Sequence, residues 1–131
     1  MAARPGEGLG PLGERAAARL LKRNGYRVLA RNLRSRLGEI DLLAEERATR
    51  CLVVVEVKAA GGENPPPEVH VNDAKRRKLT MVAAHLARQR RFVRRYGDRP
   101  IRFDVVAVVW PTGASAPRRV THHANAFEAE W

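Results

Sequence analysis

Leu37-Gly-Glu-Ile-Asp-Leu-Leu-Ala44 and Cys51-Leu-Val-Val-Val-Glu-Val-Lys58 decide the reading of this chain. Both are short apolar runs, the second rich in β-branched residues, and both suit strands of a sheet. The polar interval at 45–50 is long enough for a hairpin connection. Each run carries an ionisable residue in its interior, Asp41 and Glu56, where an unpaired buried carboxylate is costly. Alternate side chains of a strand face the same way, so Glu56 and Lys58 share a face, about 6–7 Å apart. If the two runs pair as a hairpin, Asp41 can lie beside Glu56 on that face. Two acids and a lysine on one side of an apolar hairpin point to a cation site with a helper charge. A buried ion pair between Lys58 and either acid is the structural alternative.

Outward from the hairpin, residues 12–24 carry Ala17, Leu20 and Leu21 at helical spacing, with Pro11 at the start and Gly25 as the C-terminal cap. Glu14 falls in the expected first turn, where the helix dipole favours a carboxylate. Residues 26–31 alternate as a first strand, and residues 32–36 read as a basic turn. After Lys58, Ala-Ala-Gly-Gly-Glu-Asn-Pro-Pro-Pro cannot continue a strand, which makes it a connector or a loop flanking the site. A second helix follows with Asn72 or Asp73 as cap, and Leu79, Val82, Ala83 and Leu86 form its apolar stripe. Its basic residues run on as far as Arg95, with a break expected at 97–100. Lys75, Arg76 and Lys78 stand in its first turns, where cations oppose the helix dipole and invite a phosphate partner. Residues 101–110 form a strand apolar on both faces, parallel to the strand at 51–58 because a helix separates them. Asp104 at its start is expected to pair with an arginine. Residues 118–122 suit a weaker fifth strand, followed by a short piece with Phe127 and Trp131. His122 and His123 are adjacent and point to opposite faces, so they do not share a metal.

The 131 residues suffice for one domain with a core. A tail at residues 1–10, rich in glycine, and a single domain at 11–131 are expected. Twenty-five lysines and arginines against 14 acids give a formal charge of +11, which favours a polyanionic partner once the arginine-rich composition is discounted. The single cysteine, Cys51, excludes an internal disulfide, suits a cytoplasmic setting and reads as a small buried side chain. No apolar run is long enough to span a membrane, and no secretory signal opens the chain.

Phosphodiester hydrolysis requires a cation that stabilises developing charge and positions a water, and hard cations take carboxylate and carbonyl oxygens. Asp41, Glu56 and the Val57 carbonyl offer such oxygens, and Lys58 can orient the water. The set made of a helix with Glu14, Gly38-Glu39-Ile40-Asp41-Leu42, Val55-Glu56-Val57-Lys58, Lys75 on a helix and Arg102-Phe103-Asp104-Val105-Val106 resembles the YraN-like family of uncharacterised bacterial proteins. That family in turn resembles the Holliday-junction-resolvase branch of the PD-(D/E)XK, restriction-endonuclease-like nucleases. The resemblance covers residues 13–127. It implies a three-layer α/β/α fold around a mixed sheet of four or five strands. It also implies a nuclease site at Asp41, Glu56 and Lys58 using Mg²⁺ or Mn²⁺, with Glu14 as a further acid. Arg34, Arg36, Lys75, Arg76 and Lys78 are expected to bind nucleic acid, with DNA ahead of RNA and branched intermediates among the substrates. A homodimer stays open. The alternative is a catalytically silent nucleic-acid-binding or accessory protein on the same fold.

Overall fold

The computed structural model describes residues 9–61 and 71–129. Helix α1 (Leu9–Arg23) precedes strands β1 (Tyr26–Ser35), β2 (Gly38–Glu46) and β3 (Leu52–Ala60). Helices α2 (Asp73–Ala87) and α3 (Arg90–Tyr96) follow, then strands β4 (Ile101–Val109) and β5 (Arg119–Phe127). One sheet has the order β1-β2-β3-β4-β5. Its β3–β4 pair is parallel and the other three pairs are antiparallel. Only β3 and β4 are joined by helices, as a parallel crossover requires.

Strand alternation divides the apolar residues between two cores. Leu42, Ala44, Val53, Val55, Val106 and Val108 face α1, which contributes Leu12, Ala16, Ala17 and Leu21. Leu43, Leu52, Val54, Phe103 and Val105 face the other way, toward Leu79, Val82 and Leu86 of α2 and Phe92 of α3. The sheet therefore lies between helices on both faces, a mixed α/β arrangement compatible with the restriction-endonuclease-like fold. The stripe predicted on the second helix is buried against the sheet, as expected. Gly13 brings α1 down hard on β3, since a Cβ there would stand 2.9 Å from the Ala59 Cβ.

Several element bounds differ from the sequence reading. Leu9 and Gly10, assigned to the tail, open α1, while residues 1–8 lie outside the described residues. Pro11 is accommodated because the first helical turn needs no N–H from it. The earlier start moves Glu14 out of the first turn, so the dipole argument for it fails. Residues 32–35, read as a turn, continue β1, and Ala59 and Ala60 continue β3. The remainder of that connector, 62–70, lies outside the described residues, as does Trp131. The second helix is two helices, broken at Arg88 and Gln89. The fifth strand is nine residues long and ends on Phe127. Cys51 is half-buried just before β3, with burial pushing its thiol up.

Candidate functional site

The ladder between β2 and β3 runs from Glu45↔Leu52 to Leu42↔Val55 and stops there. One further step of that register sets Asp41 opposite Glu56. Instead of a strand partner, the Val57 N–H finds a side chain, donating to Asp41 Oδ2 at 2.9 Å. Asp41 is free to take this place because it leaves the β1–β2 ladder here, while the register on either side stays the same. Arg31 pairs with Leu42 and Leu33 with Ile40, while Asn32 and Asp41 drop out of the ladder between them. Asn32 adopts φ +49°, a left-handed conformation that asparagine tolerates better than most residues. In consequence Leu42 faces α1 while Ile40 faces α2, and the alternation breaks at Asp41.

The Asp41 and Glu56 carboxyls come together at this notch, close enough for Asp41 to raise the Glu56 pKa. Glu56 is 8% exposed, and its pKa is pushed up to about 7, by burial first and by Asp41 second. Lys75 opposes the rise, with its Nζ 3.2 Å from Glu56 Oε2. The helix cap positions Lys75: its backbone N–H donates to Asn72 Oδ1 at 2.8 Å. Lys58 lies two residues beyond Glu56 on β3 and is half-buried. The N–H and C=O of one strand residue point to the same side, so the Val57 carbonyl opens toward β2 as well.

Glu14 approaches from α1. Burial, then Asp41, then Glu39 raise its pKa. The Asn32 amide nitrogen, turned toward the acids, reaches Glu14 Oε1 and Glu39 Oε1, each at 2.8 Å. Among the described residues no three of His, Cys, Asp and Glu gather closely enough to enclose a cation, so Glu14 stands at the edge of the Asp41–Glu56 pair. Asn32 and Glu39 were missed in the sequence. Asn32 read only as part of a basic turn, and Glu39 only as part of the Gly38-Glu39-Ile40-Asp41-Leu42 motif, with no role of its own.

The expected basic residues fall in two groups beside the notch. Arg34 and Arg36 sit at the β1–β2 hairpin tip, and Arg34 Nε lies 3.6 Å from Glu39 Oε2. The tip is held against α2 at Gly38, where a Cβ would come within 2.9 Å of Val82 Cγ2 and 3.2 Å of Lys78 Cε. Arg76 is paired with Asp73 within the first turn of α2. Lys75 therefore belongs to the acidic notch itself, while Lys78, Arg34 and Arg36 remain exposed near it.

A second polar cluster lies on the α1 side of β4. Arg102 donates to Asp104 from Nε and Nη2, both at 2.8 Å, and bridges to the Tyr26 hydroxyl at 2.7 Å. His122 Nε2 is 2.7 Å from Asp104 Oδ2, and the Asn125 N–H donates to Oδ1 at 2.9 Å. The arginine partner expected for Asp104 is thus Arg102.

The profile of the uncharacterised protein family UPF0102 matches residues 13–108. The chain belongs to the UPF0102 family. A UPF0102 protein of Rhodopirellula baltica is 39% identical over 122 residues, which cover 92% of this chain and 71% of that one. A UPF0102 protein of Symbiobacterium thermophilum is 40% identical over 124 residues, covering 92% and 97%. One from Geobacter metallireducens is 38% identical over 122 residues, covering 92% of each. The YraN-like resemblance is thereby borne out as to family. The span matched to the UPF0102 profile includes Glu14, Asn32, Asp41, Glu56, Lys58 and Lys75. No described helix of this UPF0102 chain is long and apolar enough to cross a membrane.

Proposed function

We propose that this UPF0102 protein is a metal-dependent endonuclease that hydrolyses phosphodiester bonds in DNA. The observation that carries this reading is the Asp41 carboxylate seated on the Val57 N–H, next to the buried Glu56, at the point where β2 leaves β3. Two like acids in a half-buried notch repel when both are ionised, and a divalent cation resolves that repulsion. The donors fit Mg²⁺ or Mn²⁺: two carboxylates and the Val57 carbonyl are hard oxygens, and Mg²⁺ keeps waters in its other positions. Such a cation supplies charge stabilisation at the phosphate and a more acidic bound water. Asp41 and Glu56 would hold it, and Lys58 would orient the attacking water or, as the neutral amine, help to deprotonate it. Glu14 sets the negative potential at the edge of the site, held in place by Asn32. Lys75, released from Glu56, turns to a phosphate oxygen. Arg34, Arg36, Arg76 and Lys78 draw the backbone in through contacts that carry little sequence information. Branched recombination intermediates are the substrates suggested by the resemblance to junction resolvases.

The test is cleavage of branched and linear DNA with Mg²⁺ or Mn²⁺, comparing the parent with Asp41→Ala. Cation-dependent cleavage by the parent, absent from the variant, is expected. A second reading, a silent nucleic-acid-binding or accessory protein, draws support from the Lys75–Glu56 ion pair, which already occupies one carboxylate. DNA binding by both proteins without cleavage by either would establish that reading instead.

A further inference from the structure

At the other end of β2 from Asp41 lies a pocket of about 540 Å³. Glu45, four residues from Asp41 and so about 13 Å along the strand, forms its floor. Five arginines surround that one carboxylate: Arg27, Arg47, Arg50, Arg95 and Arg99. They come from four separate parts of the chain: β1, the β2–β3 turn, α3 and the segment before β4. A basic surface stripe on one helix is usually a solvated face, whereas arginines converging from four segments on a concavity form a receptor shape.

The pocket contains two kinds of arginine. Arg50 and Arg99 are committed to Glu45, Arg50 through Nε at 2.9 Å and Arg99 through Nη1. Arg99 is further anchored by the carbonyls of Arg50, at 3.1 Å, and Tyr96. These contacts hold the Glu45 pKa down, led by the Arg99 hydrogen bond. Arg27 and Arg47 are exposed and have no carboxylate partner among the described residues. Arg95 lies 5.7 Å from the centre of the Tyr96 ring. Glu45 is thus satisfied twice over, and the rest of the wall presents uncompensated guanidinium groups. Leu29 and Tyr96 add an apolar wall beside them. Guanidinium forks match phosphate oxygens in pairs, and an aromatic wall accepts a base or sugar face.

We propose that this pocket binds a phosphoryl group, delivered by a free nucleotide or by the backbone of a nucleic acid. Arg27 and Arg47 grip the phosphate, and Tyr96 and Leu29 receive the attached nucleoside. The proposal does not depend on the nuclease reading, since no lining residue belongs to the acidic notch.

The experiment uses the full chain in EDTA, so that no cation at Asp41 and Glu56 contributes. Calorimetric titration with ADP and with inorganic pyrophosphate is run beside fluorescence anisotropy with a twelve-residue oligothymidylate. The double variant Arg27→Gln/Arg47→Gln and the single variant Arg95→Gln are compared with Arg90→Gln/Arg91→Gln, which removes equal charge from the exposed start of α3. Thermal melting confirms that each variant is folded. Expected is a loss of ADP affinity of at least tenfold in the pocket double variant, against less than twofold in the α3 control. If ADP and pyrophosphate do not bind but oligothymidylate affinity falls tenfold in the pocket variant alone, the phosphate comes from a nucleic-acid backbone. Equal losses in the pocket and control variants for every probe would overturn the proposal, because the pocket would then be only part of a diffuse positive surface.

Discussion

Glu56 and Asp104 are carboxyl groups inside the same sheet, on adjacent strands, and their environments push them in opposite directions. The parallel register places Asp104 across from Val55, next to Glu56 but on the α1 face. Asp104 is 0% exposed, and burial alone would raise its pKa. The Arg102 fork, His122 and the Asn125 N–H outweigh burial and hold it below the ordinary 3.8. Glu56, at the notch, has one cation and one acid as neighbours and goes the other way. A buried charge with every lone pair answered is architecture. One left facing another acid is held in place by the fold at a cost, which is the pattern of a site awaiting a positive ligand.

The sharpest way to break this contrast is Asp41→Ala. Cation-dependent DNA cleavage should fall to the no-enzyme background while DNA affinity changes less than twofold, measured by gel assay and anisotropy. Loss of binding in parallel with cleavage would mean that the notch acts as a structural element. Next in size, Asp104→Ala should destabilise the fold by about 3–5 kcal/mol in urea unfolding, because the Arg102 fork, His122 and the Asn125 N–H lose their shared buried acceptor and Arg102 keeps only Glu46 and the Tyr26 hydroxyl. Glu56→Gln should cost less than about 1 kcal/mol, as it removes a repulsion together with an ion pair. Equal costs would erase the distinction. The pH dependence sharpens it further. Asp104 has a folded pKa below its unfolded one, so its contribution is present above pH 3.8 and is lost as pH falls through the lower folded value. The stability gap between the parent and Asp104→Asn should therefore close in that acid range.

A smaller effect is expected from the cation itself. Mg²⁺ at a hundred times its dissociation constant should stabilise the parent by about 2.7 kcal/mol, reversibly with EDTA, and leave Asp41→Ala unchanged. The smallest concerns the basic rim: Lys75→Ala/Lys78→Ala should lower the slope of log affinity against log salt by about 2, one for each phosphate that a lysine no longer neutralises. A slope equal to the parent's would place both lysines off the nucleic-acid path.

The hairpin that brings Asp41 to Glu56 was legible because two apolar runs interrupted by acids leave few other arrangements. The buried stripe of α2 was legible from its period. What escaped has specific physical causes. The outer half of β1 lies at an edge of the sheet and is largely exposed, so Asn32 and Arg34 carry no apolar alternation to mark a strand. The departure of Asn32 and Asp41 from the ladder is a backbone event with no compositional signature beyond the tolerance of asparagine for positive φ. The role of Lys75 depended on its exact place in the first turn of α2, which the Asn72 cap sets. The arginine pocket was invisible because its walls come from segments up to 72 residues apart, Arg27 and Arg99 being the extremes.

The bond from the Val57 N–H to Asp41 has a consequence for observation. Amide protons deep in a central strand normally exchange with solvent only when neighbouring strands separate. The Val57 proton is guarded instead by a carboxylate, which can swing aside by a bond rotation while every strand stays paired. Whatever draws the Asp41 oxygens away uncovers that one proton, and its deuterium uptake becomes a built-in indicator of occupancy, readable without substrate or turnover.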